Sequence, residues 1–147
     1  FYGDLMVAVK KGKEFKYDKP TDLKGKTVGV YRGVSYGDVF DKAVSQGIFK
    51  LYEFRQVARA LEMLSKGRID AILIGPGKYG LEQVVKSDPT LSESDFSLLP
   101  IPFKRDAKHL GFAKLMNMKS FLEKFNSILK KGHQNGTFDK IIEGYLR

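Results

Sequence analysis

Residues 27–40 read TVGVYRGVSYGDVF, an apolar run that ends on arginine, glycine and serine before a helical pattern begins. These residue types suit an anion. Free N–H groups at a helix start carry partial positive charge. Gly33 lets a ligand approach the main chain, Ser35 offers a hydroxyl, Arg32 offers a charge-assisted bond, and Val34 lies between them. The same residues also read as a plain turn in which Ser35 is the helix cap. The local sequence leaves both readings open. Neither G-x-G-x-x-G nor the G-K-[ST] phosphate loop is present, so the stretch is not a nucleotide fingerprint. A second turn-rich stretch, GPGKYG at 75–80, follows another apolar run and reads equally well as a simple strand-to-helix connection.

Catalytic chemistry finds little support. Cysteine is absent, which removes disulfides, thiol nucleophiles and thiolate metal sites. His109 and His133 have no second histidine at a ligand-like spacing; His109 has no nearby acid to orient it and His133 falls in a turn, so neither reads as a general base. No serine lies in a nucleophile elbow. We therefore expect no catalytic residues, no metal and no cofactor.

The elements that position these loops follow from periodicity. Residues 4–10, 26–31, 48–54 and 69–74 read as strands, the last with the continuous apolar character of a central position. Helices are expected over 35–46, with Ser35 as N-cap, over 56–66, with Val57, Ala60, Leu61 and Leu64 on one face, and over about 79–86. SLLPIPF and HLGFA read as two further strands, the first confined to an edge by Pro100 and Pro102. Ser120 and Glu123 form a capping-box pattern opening a helix to about residue 131 with Phe121, Leu122, Phe125, Ile128 and Leu129 on its stripe. A final helix carries Phe138, Ile141, Ile142 and Tyr145. Alternating strands and helices imply an α/β fold, a three-layer αβα sandwich around a mostly parallel sheet. Ligands of such sheets bind at the carboxyl ends of strands, which places residues 32–35 and 75–79 at the functional edge. Arg68 and Asp70 fall at the opposite end of their strand, where a structural role is expected.

At 147 residues, with 42% hydrophobic and 29% charged residues, the chain has the bulk composition of a globular protein. The net charge of +9 is spread along the sequence rather than gathered beside exposed aromatics, so it reads as a solvated basic surface and not as a nucleic-acid site. No apolar run approaches the ~20 residues of a membrane helix. The chain starts on Phe1, which points to a processed chain or a fragment.

The order DLKGKTVGVYRGVSY, a strand at 48–54, ALEMLSKGRIDAILIG, and finally FNSILKKGHQNGTFDKIIEGYL resembles family 3 of the extracellular solute-binding proteins, the periplasmic amino-acid receptors of ABC importers. The resemblance spans nearly the whole chain. It implies one lobe of a two-lobed clamshell: residues 1–10 as a hinge strand from a missing first lobe, 11–108 as the second α/β lobe, and 109–147 as a return strand and helices that normally pack on the first lobe. The family's carboxylate-binding arginine would be lost with that first lobe. The family's G-[ST]-[ST] turn matches Gly33-Val34-Ser35, which would help to hold a ligand carboxylate. Where family members carry an aspartate for the ligand's α-ammonium, this chain has Gly75. The implied partners are a small polar solute, an amino acid or carboxylate, and a membrane permease. A homodimer or domain swap is also implied, through helices that the missing lobe would leave exposed. A sensor domain of the same fold, a dehydratase-like enzyme and a basic nucleic-acid-binding module are the rival readings.

Overall fold

The computed structural model describes residues 2–107 and 109–145; Phe1 and the boundary residue Lys108, as well as the side chains of Ile142 and Tyr145 on the last helical stripe, lie outside that description. The chain divides into two units, Phe1–Lys108 and His109–Arg147.

The first unit is built on six strands: β1 (Tyr2–Lys10), β2 (Thr27–Tyr31), β3 (Lys50–Phe54), β4 (Ala71–Ile74), β5 (Phe96–Leu98) and β6 (Lys104–Ala107). The sheet order is β3-β2-β4-β1-β5, and β6 pairs with the other half of β1. β2 lies parallel to both β3 and β4, while β1 is antiparallel to β4, β5 and β6. Five strands therefore share one direction and β1 runs against them. Three helices cover the sheet: α1 (Asp38–Ser45), α2 (Val57–Ser65) and α3 (Gly77–Ser87).

Strand alternation sorts the core into two layers. Val7, Val9, Val28, Val30, Ala71 and Leu73 face Leu23, Tyr36, Phe40, Ala43 and Phe49 on the α1 side. Ala8, Ile72 and Ile74 face Ala60, Leu61 and Leu64 of α2 and Leu81 of α3 on the other side. Each fully buried aliphatic side chain contributes roughly 1.5–3 kcal/mol through removal from water. At the amino end of β4, Asp70 accepts a 2.7 Å hydrogen bond from the Thr27 N–H and donates its own N–H to the Thr27 carbonyl at 2.9 Å. Asp70 thus clips β4 to β2, a structural role.

Three boundaries differ from the sequence expectation. Ser35 does not cap α1. The helix begins at Asp38 after Gly37, because Tyr36 turns its ring into the core against Phe40 and so holds residues 32–37 as a loop. HLGFA forms no strand. The edge pairing goes to β6, whose register along Tyr2–Leu5 follows a break at Pro100 and Pro102, where no N–H is available to β1. In the second unit, helix α4 (Lys119–Gln134) starts at Lys119 after Met118, so Ser120 lies inside the helix and the capping box is not formed. Helix α5 (Thr137–Tyr145) follows a turn in which Asn135 accepts hydrogen bonds from the N–H and hydroxyl of Thr137.

Gly132 shows how α4 and α5 approach one another: a Cβ there would collide with the Phe138 ring. Among the described residues of this unit Gly132 alone is buried, and Phe121, Ile128 and Ile141 stay exposed.

Two outcomes follow from the core of the first unit. A Cβ at Gly29 would sit 2.8 Å from Ile72 Cγ2, so Gly29→Ala should destabilise by about 1–3 kcal/mol in denaturant titration. Adding Ile72→Ala should give a total less than the sum, because the vacated volume accepts the new methyl. Tyr17 is buried, its hydroxyl has no hydrogen-bond partner among the described residues, and burial, then Asp22, push its pKa from 10.0 up to about 12. An unfolded tyrosine ionises near the lower value, so the unfolded chain gains as pH climbs through that window and stability falls there. Tyr17→Phe should flatten this alkaline loss in thermal melts without destabilising the protein at neutral pH.

Candidate functional site

β2 and β4 are parallel neighbours, with Val28 opposite Ala71 and Gly29 opposite Ile72. The segments that leave them, 32–37 and 75–77, therefore emerge side by side at one carboxyl edge. All five sequence-predicted residues, Arg32, Gly33, Val34, Ser35 and Gly75, lie on this edge.

The first loop is fixed at its base and open at its tip. The Arg32 N–H donates to the Phe54 carbonyl at 2.8 Å, and the Val34 N–H reaches the Tyr31 carbonyl at 3.4 Å. Gly33 takes φ +80°, a conformation that favours glycine, and a Cβ there would meet nothing within 4 Å. Val34 and Ser35 are exposed. The Tyr36 hydroxyl reaches back to accept a 2.8 Å hydrogen bond from the Tyr31 N–H. Burial pushes the Tyr36 pKa up, while that hydrogen bond opposes the rise. Arg32 pairs with Glu53 at 3.7 Å, with both side chains more than half exposed. Such a pair is worth little and leaves the guanidinium available for exchange. Gly37, at φ +89°, closes the loop, and the Lys104 ammonium lies 3.3 Å from where its Cβ would be.

The second loop begins with Gly75 and a cis Gly75–Pro76 bond. A Cβ at Gly75 would make only ordinary contacts, 3.6 Å to the Asp4 carbonyl oxygen and to Leu5 Cδ1. The backbone thus tolerates a side chain at 75, so space does not require glycine there. Gly80 is different, since its Cβ would fall 2.6 Å from the Gly75 carbonyl oxygen.

Sequence reasoning missed the contribution of β1 and β6. Because β1 is antiparallel to β4, its beginning reaches the same edge. Asp4 stands opposite Arg105 in the β1–β6 register, and their side chains pair with Nε–Oδ1 at 3.1 Å and Nη2–Oδ2 at 3.5 Å. Lys104 stands opposite Leu5 on the α1 side of the sheet. The signal was the charged run Lys104-Arg105-Asp106 after a proline-broken strand, but its register is not written locally. His109 and His133 belong to the second unit, where the His133 ring packs on Phe138. Among the described residues no group of three or more histidines, cysteines or acids is placed to hold a metal, and no helix is long and apolar enough to cross a membrane.

No protein-family model matches the sequence, and no curated protein matches it. Solved structures do. An arginine-binding protein from T. maritima, in a mutant form, is 25% identical with a TM-score of 0.60 over 97% of this chain and 57% of its own. An ancestral arginine-binding protein bound to arginine is 26% identical, with a TM-score of 0.56 over 97% of this chain and 60% of its own. The second substrate-binding domain of a protein assigned as an amino acid ABC transporter from Streptococcus pneumoniae shares the fold at 24% identity. Its TM-score is 0.63 over 100% of this chain and 62% of that one. The chain therefore spans about three-fifths of the length of these structures and has the α/β architecture of one lobe of a periplasmic-binding-protein fold. Two of these neighbours are arginine-binding proteins and the third is a substrate-binding domain of an amino acid transporter.

The Tyr36 hydroxyl is the acceptor that ties the loop to its strand. Tyr36→Phe should leave the Tyr31 N–H unsatisfied, cost about 1–3 kcal/mol, and speed hydrogen exchange at the Tyr31 amide. Unchanged exchange at that amide would show that the bond does not hold the loop.

Proposed function

We propose that the chain is the solute-binding part of an ABC importer working in the periplasm, and that it takes an amino acid or a related small polar or anionic solute at the carboxyl edge of its sheet. Binding is reversible and no bond is made or broken. The mechanism is closure of two lobes about a hinge, with β1 as one hinge strand. The observation that supports this reading is the pairing of two open loops on adjacent parallel strands, in a chain whose structural neighbours include proteins that bind arginine.

In this reading the main chain at Gly33 and Ser35 and the Ser35 hydroxyl hold a carboxylate. Arg32 at the rim favours negative charge, and Val34 lies against the apolar part of the solute. Gly75 leaves open the space beside β1. The partners are the solute and a membrane permease. A second copy of the chain is a further partner, meeting the exposed Phe121, Ile128 and Ile141 of α4 and α5, since apolar patches of that kind mark contact surfaces.

Titration of the chain with L-arginine, L-glutamine, L-glutamate, succinate and phosphate, followed by calorimetry and amide NMR shifts, tests the reading. At least one solute should bind saturably and shift the amides of 32–37 and 75–77. Ser35→Ala should weaken it about five- to tenfold, the loss of one hydrogen bond of about 1–1.5 kcal/mol. Binding by none of these solutes, or shifts confined to other surfaces, would refute it. Light scattering over a concentration series should show self-association, reduced by Ile128→Lys.

A further inference from the structure

The face of the carboxyl edge that carries the open loop also carries a lysine. Phe103, just before β6, donates its N–H to the Leu5 carbonyl at 2.8 Å and lays its ring on Phe40 of α1, with centroids 5.9 Å apart. Phe40 packs in turn on Tyr36, whose burial shapes the loop at 32–37. One aromatic cluster therefore sets both the loop and the start of β6. Lys104 follows at once, opposite Leu5, and its ammonium lies 3.3 Å from where a Gly37 Cβ would be. The side chain is half-buried. Part of its stem is thus already withdrawn from water, and less freedom is lost when the charge is engaged.

Three strands line up on this face. β1 lies between β4 and β6, and Leu5 is flanked by Lys104 on one side and by Gly75 on the other, where a Cβ would lie 3.6 Å from Leu5 Cδ1. An acid at 75 would set a carboxylate across Leu5 from the Lys104 ammonium; glycine sets none. Asp4 precedes Leu5 and so points to the opposite face of the sheet, where Arg105 holds it. Glu53 ends β3 and is engaged by Arg32. Asp38 and Asp41 are exposed in the first turn of α1, where they complement the helix N-terminus. The loop thus has a cation at each end, Arg32 beside the Gly33–Ser35 turn and Lys104 at Gly37. An ammonium carries three N–H donors, so a contact within the protein leaves it others for a solute oxygen.

We propose that Lys104 is a specificity residue of this edge: its ammonium meets the second carboxylate of a solute whose first is held at Gly33–Ser35, so that the preferred solute is a dicarboxylate. The inference rests on the solute-binding reading and names its ligand class. The bare Gly75 is part of the arrangement, because it keeps a competing carboxylate off the Lys104 face.

The test compares acids with their amides, which keep the shape and lose one charge: glutarate with glutaramate and L-glutamate with L-glutamine, by calorimetry on the full chain. Each acid should bind about tenfold or more tightly than its amide, and added salt should narrow the gap. Lys104→Met should abolish the preference, weakening the acids about tenfold or more and leaving the amides nearly unchanged. Lys104→Arg keeps the charge and should retain the preference. Lys66→Met, an equal loss of charge just past α2 on the other layer, should retain it too. If the wild-type chain binds none of these four solutes and none of L-arginine, succinate or phosphate, the solute-binding reading itself fails. If it binds only L-arginine or phosphate, or takes acid and amide equally, the reading stands and the assignment of Lys104 is overturned. The same holds if Lys104→Met keeps the preference or weakens both members of a pair alike, or if Lys66→Met lowers the preference as much.

Discussion

The fold depends on the insertion of one strand against the grain of the others. β1 hydrogen-bonds to β4 along one side and to β5 and β6 along the other, so removing it would cut the sheet in two. Its side chains at Val7, Ala8 and Val9 are fully buried on alternating faces, which locks both layers of the core to a single register. A slip of one residue would exchange Val7 and Val9 with Ala8 and Lys10, placing a lysine in the interior. The register of β1 is therefore held by packing as well as by hydrogen bonds.

The same constraint composes the carboxyl edge. In a sheet with every strand parallel, only strand ends would meet there. The reversed strand instead brings its beginning, so the edge combines the loops after β2 and β4 with residues of β1 and β6. Rigid main chain supports each component: the Arg32 N–H on Phe54, the Tyr31 N–H on Tyr36, and Gly80 packed against the Gly75 carbonyl. Open glycines lie above this base. Rigid bases with open tips allow a surface to accept a solute without reorganising.

Much of this was legible in the sequence. The alternation of Val28 and Val30, and the i, i+3, i+4, i+7 spacing in α2, report burial directly, and Ala60, Leu61 and Leu64 are buried as their spacing implies. The rule that ligands meet parallel sheets at strand ends placed both loops. Other features escaped. Serine at 35 carries a strong local preference for capping, but burying the neighbouring Tyr36 ring outweighs it and moves the helix start to Asp38. HLGFA has the hydropathy of a strand, whereas the polar KRDA is the strand, because edge pairing with β1 rests on main-chain hydrogen bonds that hydropathy does not report. Asp4 and Arg105 meet across 101 positions of sequence, and only the β1–β6 register brings them together.

The place of β1 in the chain has a consequence for biogenesis. A ribosome makes this strand before any of its partners: β4 begins at residue 71, β5 at 96 and β6 at 104. Until those segments emerge, an apolar ribbon with both edges unpaired must wait, exposed to any other extended chain nearby. Contacts so distant in sequence also delay the folding transition. The sheet closes last around one of the strands that are made first.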